Sequence, residues 1–390
     1  MRLAERLASI KPSATLTINA KAQELRAQGR QIISLAVGEP DFAPPPHVRE
    51  AAKAAVDSSS RYTAVPGLPE VRDAVAGYYG RFYGVTAPRE AVIVTNGGKH
   101  ALYNLFQALL NPGDEVLLPA PYWVSYPDMV AMAEAAVRVV PASAEAGFLV
   151  TVDDLERAYT PSCRAIILNT PSNPTGCHYA QPQLDAIADW AIAKGLFIVS
   201  DEVYDQLVFA PARPSTLSGW WASHPESVAI IGALSKTFAM PGWRFGSCLA
   251  HPDLIKAMAK IQSQSTSNIC TITQLAGLAA LTGPWQVVEA MRASFACRRD
   301  LVMEVIASWP GVVCPRPDGA FYVFPNVAAR YTAATPDSTS LCARLLEEVG
   351  VALVPGAAFG DDGCVRISYA VDESTLTEAL DKIGRVLAGR

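Results

Sequence analysis

One repeated alternation narrows the possible folds most. Between Ala91 and His251, seven short apolar or β-branched runs are separated by longer stretches with helical patterning. The runs are AVIVT (91–95), DEVLLP (114–119), VRVVP (137–141), RAIILN (164–169), LFIVSD (196–201), VAIIGAL (228–234) and RFGSCLA (244–250). Most are nearly continuous in apolar character, as expected of strands covered on both faces. Helices between such strands predict an α/β chain with a mostly parallel, doubly wound sheet. Sheets of that kind bind ligands beyond the carboxyl ends of their strands. The polar residues that follow each run are therefore the ones to inspect.

Beyond that region a long helical pattern runs from about Trp285 to Trp309. It is followed by strand-like FYVF, VALVP and VRISYA, interleaved with helices at about 338–349 and 372–388. This predicts a smaller α/β domain. The first 40 residues contain KPSAT, a helix-like INAKAQELRAQG and then GEPDFAPPPH, whose prolines impose an extended path. The expected division is an N-terminal arm with part of the small domain over 1–45, a large domain over 46–284, and a small C-terminal domain over 285–390.

With 390 residues, half of them hydrophobic, the chain can bury cores of this size. A net charge of −5 supplies no basic field for a phosphate backbone, which argues against nucleic acid as a partner. The eight cysteines form no CxxC pair and have no histidine at zinc-like spacing, so they read as reduced thiols and no metal is expected. The N-terminus lacks the apolar core of a secretion signal, and no apolar run approaches the ~20 residues of a membrane span. The expectation is a cytoplasmic protein with no membrane partner.

Four strand ends carry loops that could converge: TNGGKHAL, NTPSNPTG, SDEVYDQ and GALSKTFAMPGWRFG. Gly97 and Gly98 precede a helix, where exposed N–H groups suit a phosphate, although glycine before a helix is common. GALSKT is not a nucleotide-triphosphate loop, because Gly232 stands only four residues before Lys236. Asp201 closes a buried strand and requires a cationic partner or a proton. A protonated pyridine nitrogen would serve, and so would the cap of a following helix. Lys236, with Arg244 as its cationic neighbour, sits where desolvation would produce a neutral nucleophile, whereas an isolated loop lysine is usually a solvated charge.

Joint occurrence decides between these readings. GEPDF (38–42), RYTAVPGLPEVR (61–72), GGKHALYNLFQALLNPGDEVLLPAPYWVSY (97–126), NTPSNPTG (169–176), SDEVY (200–204), SKTFAMPGWRFG (235–246) and VRISYA (365–370) together resemble the pyridoxal 5′-phosphate (PLP) dependent aminotransferases of class I/II, fold type I. The KPSAT arm, GGK and PYWVSYP make the chain most similar to the bacterial aspartate aminotransferase subgroup. The resemblance spans essentially the whole chain.

It implies that Lys236 holds the cofactor as a Schiff base and then carries a proton between the substrate Cα and the cofactor. Asp201 pairs with the ring nitrogen, Asn173 and Tyr204 bond the 3′-oxygen, and Trp123 stacks on the ring and borders the substrate. Gly98, Lys99, Ser235 and Arg244 surround the phosphate region, while Tyr62 reaches the phosphate of a neighbouring subunit in a homodimer with shared sites. Arg366 clamps the substrate α-carboxylate, helped by the backbone near Gly38 and the amide of Asn173. Lys99, with Lys11, Ser13 and Thr15 of the arm, would read a distal carboxylate, favouring aspartate and 2-oxoglutarate in a ping-pong reaction. Lys11 matches a position associated with prephenate. Aromatic amino acid transamination and C–S β-lyase chemistry use the same core residues. A regulatory module on this scaffold would carry an appended DNA-binding segment, for which 390 residues leave no room. Two histidines need placing: His178 is expected exposed in a turn, and His100 turned away from the ring.

Overall fold

In a computed structural model of the protein, the seven apolar runs form one sheet; residues 1, 3–12 and 14–389 are described, so Ser13 lies outside them. The strands are Val92–Asn96, Glu115–Ala120, Ala136–Pro141, Cys163–Asn169, Phe197–Asp201, Val228–Ala233 and Phe245–Leu249. Across the sheet they stand first, seventh, sixth, fifth, fourth, second, third. Four neighbouring pairs are parallel, and Phe245–Leu249 is antiparallel to both of its neighbours. Residues 234–244 are too few for the helical crossover a parallel return needs.

Helices cover both faces. Ile166, Leu168, Ile198 and Ile230 join one buried cluster with Val75, Tyr79 and Leu184, whereas Ile167, Val199 and Ile231 join another with Leu105, Phe106 and Met258. Alternate residues of each strand thus enter opposite cores, which is why the runs are apolar throughout.

A third cluster gathers around Phe295, Phe321, Tyr322 and Leu380. It is built by the helices Gln286–Ala307, Ser338–Val349 and Glu373–Leu387 on an antiparallel sheet of Val354–Pro355, Val365–Ser368 and Tyr322–Val323. VALVP, expected as one strand, breaks at Leu353. Val351–Ala352 pairs in parallel with Ile33–Ser34, and Val354–Pro355 turns to pair with Val365–Arg366. The segment after the N-terminal helix Ala14–Ala27 is thereby tied to residues near the C-terminus. Among the described residues no helix is long and apolar enough to cross a membrane, no cluster could hold a metal ion, and all eight cysteines are free thiols.

Phe295 is fully buried and meets Phe321 at 5.2 Å and Phe42 at 5.4 Å between ring centroids. Phe295→Ala is expected to cost about 3–5 kcal/mol. A urea titration that leaves the unfolding midpoint where it was would contradict this packing.

Candidate functional site

The register of the sheet brings the strand ends to one edge. Asn169 is level with Asp201, Asp201 with Ile231, Ala233 with Gly246, and Asn96 with Phe245. A cavity of about 480 Å³ opens there. It is completed by Gly38 and Glu39 from the N-terminal segment and by Tyr322 and Arg366 from the antiparallel sheet.

Asp201 ends its strand with 3% of its surface exposed. Its Oδ2 accepts a hydrogen bond from the Tyr126 hydroxyl at 2.6 Å, while Oδ1 is buried with no partner. Burial raises its pKa to about 6, against the lowering effect of the Tyr126 bond. An acceptor oxygen left unsatisfied in the interior is costly unless a donor reaches it. Lys236 lies in the short helix Leu234–Thr237 that follows the adjacent strand. Its ammonium donates to the Gly38 carbonyl at 2.6 Å. Burial lowers its pKa to about 8; Glu39 opposes the shift, and Arg366 and Arg244 add to it.

Beside Asp201, helix Gly98–Leu109 begins at the cavity after Gly97, whose φ of 84° is a left-handed value. The first N–H groups of any helix lack intrahelical acceptors, so this end offers donors to an anion. Arg244, also left-handed at φ 59°, folds over it and donates to the carbonyls of Pro241 at 2.9 Å and Asn96 at 3.1 Å. Gly246 permits the approach: a Cβ there would lie 2.2 Å from the carbonyl carbon of Gly97. Ser235 lines the same corner.

At the other end, Arg366 is buried to 2% exposure with no carboxylate on it. It donates to Asn173 Oδ1 at 2.9 Å and to the Ala36 carbonyl at 2.6 Å, and its Nε has no partner. Tyr322 and Phe359 flank the guanidinium, their ring centroids 4.8 and 5.0 Å from its carbon. Tyr204 and Tyr322 share a hydrogen bond of 3.0 Å, and burial raises the pKa of Tyr204. Lys99 lies with its ammonium 4.9 Å from the Trp123 ring centroid, and desolvation and Arg244 depress its pKa.

Of the residues singled out in the sequence, Thr15, Gly38, Gly98, Lys99, Trp123, Asn173, Asp201, Tyr204, Ser235, Lys236, Arg244 and Arg366 line this cavity. Two do not. Lys11 is exposed on the arm, with its backbone N–H bound to Asp128 at 3.1 Å, and Tyr62 stands 92% exposed on the surface. His178 corrects an expectation: it is buried, with Nδ1 2.8 Å from the Thr170 hydroxyl and Nε2 3.0 Å from the Arg213 carbonyl. The chain around Ser215 folds back over the turn and covers it. His100 points its Nδ1 at the Asn96 N–H, 3.3 Å away, and does not line the cavity. Sequence reasoning missed Tyr126, Tyr322, Glu39 and Asn169. Tyr126 stands inside the PYWVSYP stretch, but nothing local marks its hydroxyl as the partner of residue 201.

These groups fit pyridoxal 5′-phosphate. The amine is poised to lose its proton, the orphaned Oδ1 of Asp201 can take a ring N–H, and a helix start with an arginine can take the phosphate. A doubly wound sheet presenting these groups at adjacent strand ends has the architecture of the fold-type I PLP enzymes.

The sequence profile of aminotransferase class I and II matches residues 30–383. The asparagine–oxo-acid transaminase of Streptococcus mutans is 42% identical over 98% of each chain. The aspartate/prephenate aminotransferase of Thermus thermophilus is also 42% identical, over 99% of this chain and 98% of that one. A solved structure of Thermus thermophilus aspartate aminotransferase with maleate superposes with a TM-score of 0.93 at 43% identity, covering 99% of this chain and all of that one. The chain belongs to the class I and II aminotransferases, and it is a PLP-dependent enzyme.

Because the Lys236 pKa is lowered to about 8, the neutral amine becomes the major form above that pH. Cofactor-free protein is expected to capture PLP at a rate that climbs as pH rises through about 8 and then levels off. Stopped-flow absorbance would show this, and a flat profile would contradict it. Gly246→Ala is expected to weaken PLP binding in equilibrium titrations, because the new methyl group displaces the helix start.

Proposed function

We propose that the enzyme moves an amino group between L-aspartate, or a related dicarboxylic or aromatic amino acid, and 2-oxoglutarate by a ping-pong mechanism. The observation that carries this reading is that one cavity holds both Arg366, with no carboxylate of the described residues against it, and Lys99 on the Trp123 side. A dicarboxylate has one group for each cation. The maleate bound by the similar Thermus enzyme is itself a dicarboxylate.

PLP supplies an aldehyde that an amine can capture and a ring that accepts electrons from the substrate. Lys236 gives up a proton to become the nucleophile, leaves the Gly38 carbonyl, and later carries the proton to and from Cα through Nζ. Asp201 would accept the ring N–H through Oδ1, and Tyr126 holds the other oxygen so that the carboxylate keeps its direction. The hydroxyl of Tyr204 and the amide of Asn173 would hold the 3′-oxygen, and Trp123 would cover the ring. Gly98, Ser235 and Arg244, with Lys99 nearby, would hold the phosphate.

Arg366 binds the α-carboxylate through a fork oriented by Asn173 and Ala36, with the Gly38 backbone beside it. Two anchors fix the Cα–H bond relative to the ring, which is the orientation deprotonation requires. Lys99 and Thr15 face the distal carboxylate. A lysine is a mobile point charge, so aromatic donors and prephenate remain within reach of the same site.

Two further assignments belong to this reading. The enzyme acts as a homodimer in which the exposed Tyr62 enters the neighbouring site, and it resides in the cytoplasm, where its free thiols stay reduced. The chain divides into an arm (1–45), a large domain (46–284) and a small domain (285–390). The hydrophobic cluster around Phe295 and Leu380, drawn mostly from residues 291–387 with Leu35 of the arm, supports this division, and Tyr204, Leu207, Phe209 and Ala239 of the large domain pack into it.

Lys236→Ala is expected to abolish turnover and the covalently bound form of the cofactor. Half-reaction spectra with aspartate, asparagine, aromatic amino acids and cysteine-type compounds as donors, and with 2-oxoglutarate and prephenate as acceptors, test the specificity. Release of pyruvate and ammonia without an oxo-acid acceptor would replace transamination with lyase chemistry. Lys99→Ala is expected to raise KM about tenfold or more for aspartate and little for alanine, as loss of a charge-assisted contact implies. Equal losses for the two donors would remove Lys99 from distal recognition.

A further inference from the structure

Five consecutive residues at the centre of the site face two different cavities. Asp201, Val203 and Tyr204 line the large one, whereas Glu202 and Asp205 line a second of about 30 Å³ behind it. Both of these carboxylates are buried, and the reaction as proposed uses neither. We propose that Glu202 and Asp205 are positioning residues for the transamination, clamping the turn that aims Asp201 and Tyr204 at the cofactor. The proposal rests on the roles assigned above to those two residues.

The clamp is built from directional bonds. Glu202 Oε1 accepts from Ser200 Oγ at 2.8 Å and from the Leu217 N–H at 2.9 Å, and Oε2 accepts from Thr216 Oγ1 at 2.8 Å. Asp205 accepts from the hydroxyls of Tyr78 and Tyr83, the latter at 2.7 Å, and from the Gln206 N–H at 2.8 Å. Gln206 closes the network by donating to Tyr78 at 2.9 Å. The turn is cross-braced where Asp205 N–H meets the Glu202 carbonyl at 3.0 Å, and Glu202 N–H meets Ile231 at 3.0 Å. The back of the loop is therefore tied to helix Pro69–Tyr83, to the Thr216–Leu217 turn and to the strand that leads to Lys236.

Among the described residues, no cation lines this second cavity. The titratable groups facing the pair are Tyr78, Tyr79 and Tyr83 from the helix, and the remaining neighbours, Gly232, Ala233, Thr237 and Ser247 among them, are uncharged. Two buried carboxylates with no counter-charge are a costly way to hold a loop, and an apolar plug would fill the space without that cost. What an apolar plug lacks is direction: each carboxylate here fixes three donors at set angles. Burial also raises the Glu202 pKa to about 7, with Asp205 adding to the rise. Its folded value stands above the unfolded one, so its contribution to stability is present below about 4.5 and is lost as pH climbs to about 7. An uncharged isostere at 202 thus should not destabilise the protein in mild alkali, which separates positioning from bulk stability.

The experiment compares holoenzyme variants Glu202→Gln, Asp205→Asn and, as the control for the underlying assignment, Asp201→Asn. For each, kcat, KM for aspartate, the pH midpoint of the bound-cofactor absorbance and the unfolding temperature at pH 8 are measured. Glu202→Gln is expected to unfold at or above the wild-type temperature, yet to lose roughly ten- to a hundredfold in kcat, as small misplacements near reacting groups do. KM for aspartate should stay close to wild type, and the absorbance midpoint should move. Wild-type kcat and an unmoved midpoint in both Glu202→Gln and Asp205→Asn, while Asp201→Asn shifts the midpoint, would overturn this proposal alone. An unmoved midpoint in Asp201→Asn would overturn the assignment of Asp201 and this proposal with it. Should Glu202→Gln fail to fold, Thr216→Val removes one of the three bonds; a smaller loss of kcat with a shifted midpoint supports the clamp, and none of either overturns it.

Discussion

A carboxylate held dry with one oxygen unsatisfied is the constraint on which the site depends. Asp201 could not stay at the end of a buried strand unless something compensated its burial, and the Tyr126 hydroxyl meets only half of that need. Asp201 lines a cavity that Lys236 also lines, and burial has lowered the pKa of that amine to about 8. Each group is unfavourable alone in its place. Together they are complementary to one cofactor that carries a basic ring nitrogen and an aldehyde.

The sheet makes this economical. Parallel strands with helical crossovers deliver successive loops to one edge, so residues at 169, 201 and 233 arrive as near neighbours without any special device. The antiparallel strand Phe245–Leu249 adds Arg244 to the same edge by running back toward the first strand; Gly246 lets its backbone pack against that of Gly97, and Gly97 leaves room for the Arg244 guanidinium. Arg366 comes from a different sheet and reaches the cavity alongside Asn173, so the cavity is lined from both sheets.

The seven strand runs were legible because burial on both faces leaves a continuous apolar signature. The helices at Gln286–Ala307 and Ser338–Val349 were legible from their periodicity. Asp201, Lys236 and the glycines at 97 and 98 stood out because each lies at or just beyond the end of a run. His178 was misread because a turn beside NPTG is exposed in isolation, and only the returning chain near Ser215 buries it. The break at Leu353 was invisible, since an apolar pentapeptide carries no sign that its halves pair with different partners.

Sequence alone determined the layered architecture and the cofactor-binding chemistry, since both are written in short-range patterns: runs, spacings and the residue that ends each strand. Tertiary structure decided which distant groups meet. Lys236 finds the Gly38 carbonyl across 198 positions, Asn173 finds Arg366 across 193, and Tyr78 reaches Asp205 across 127. Contacts of that span follow from how helices and sheets pack, and packing is a property of the whole folded chain that no window of residues contains.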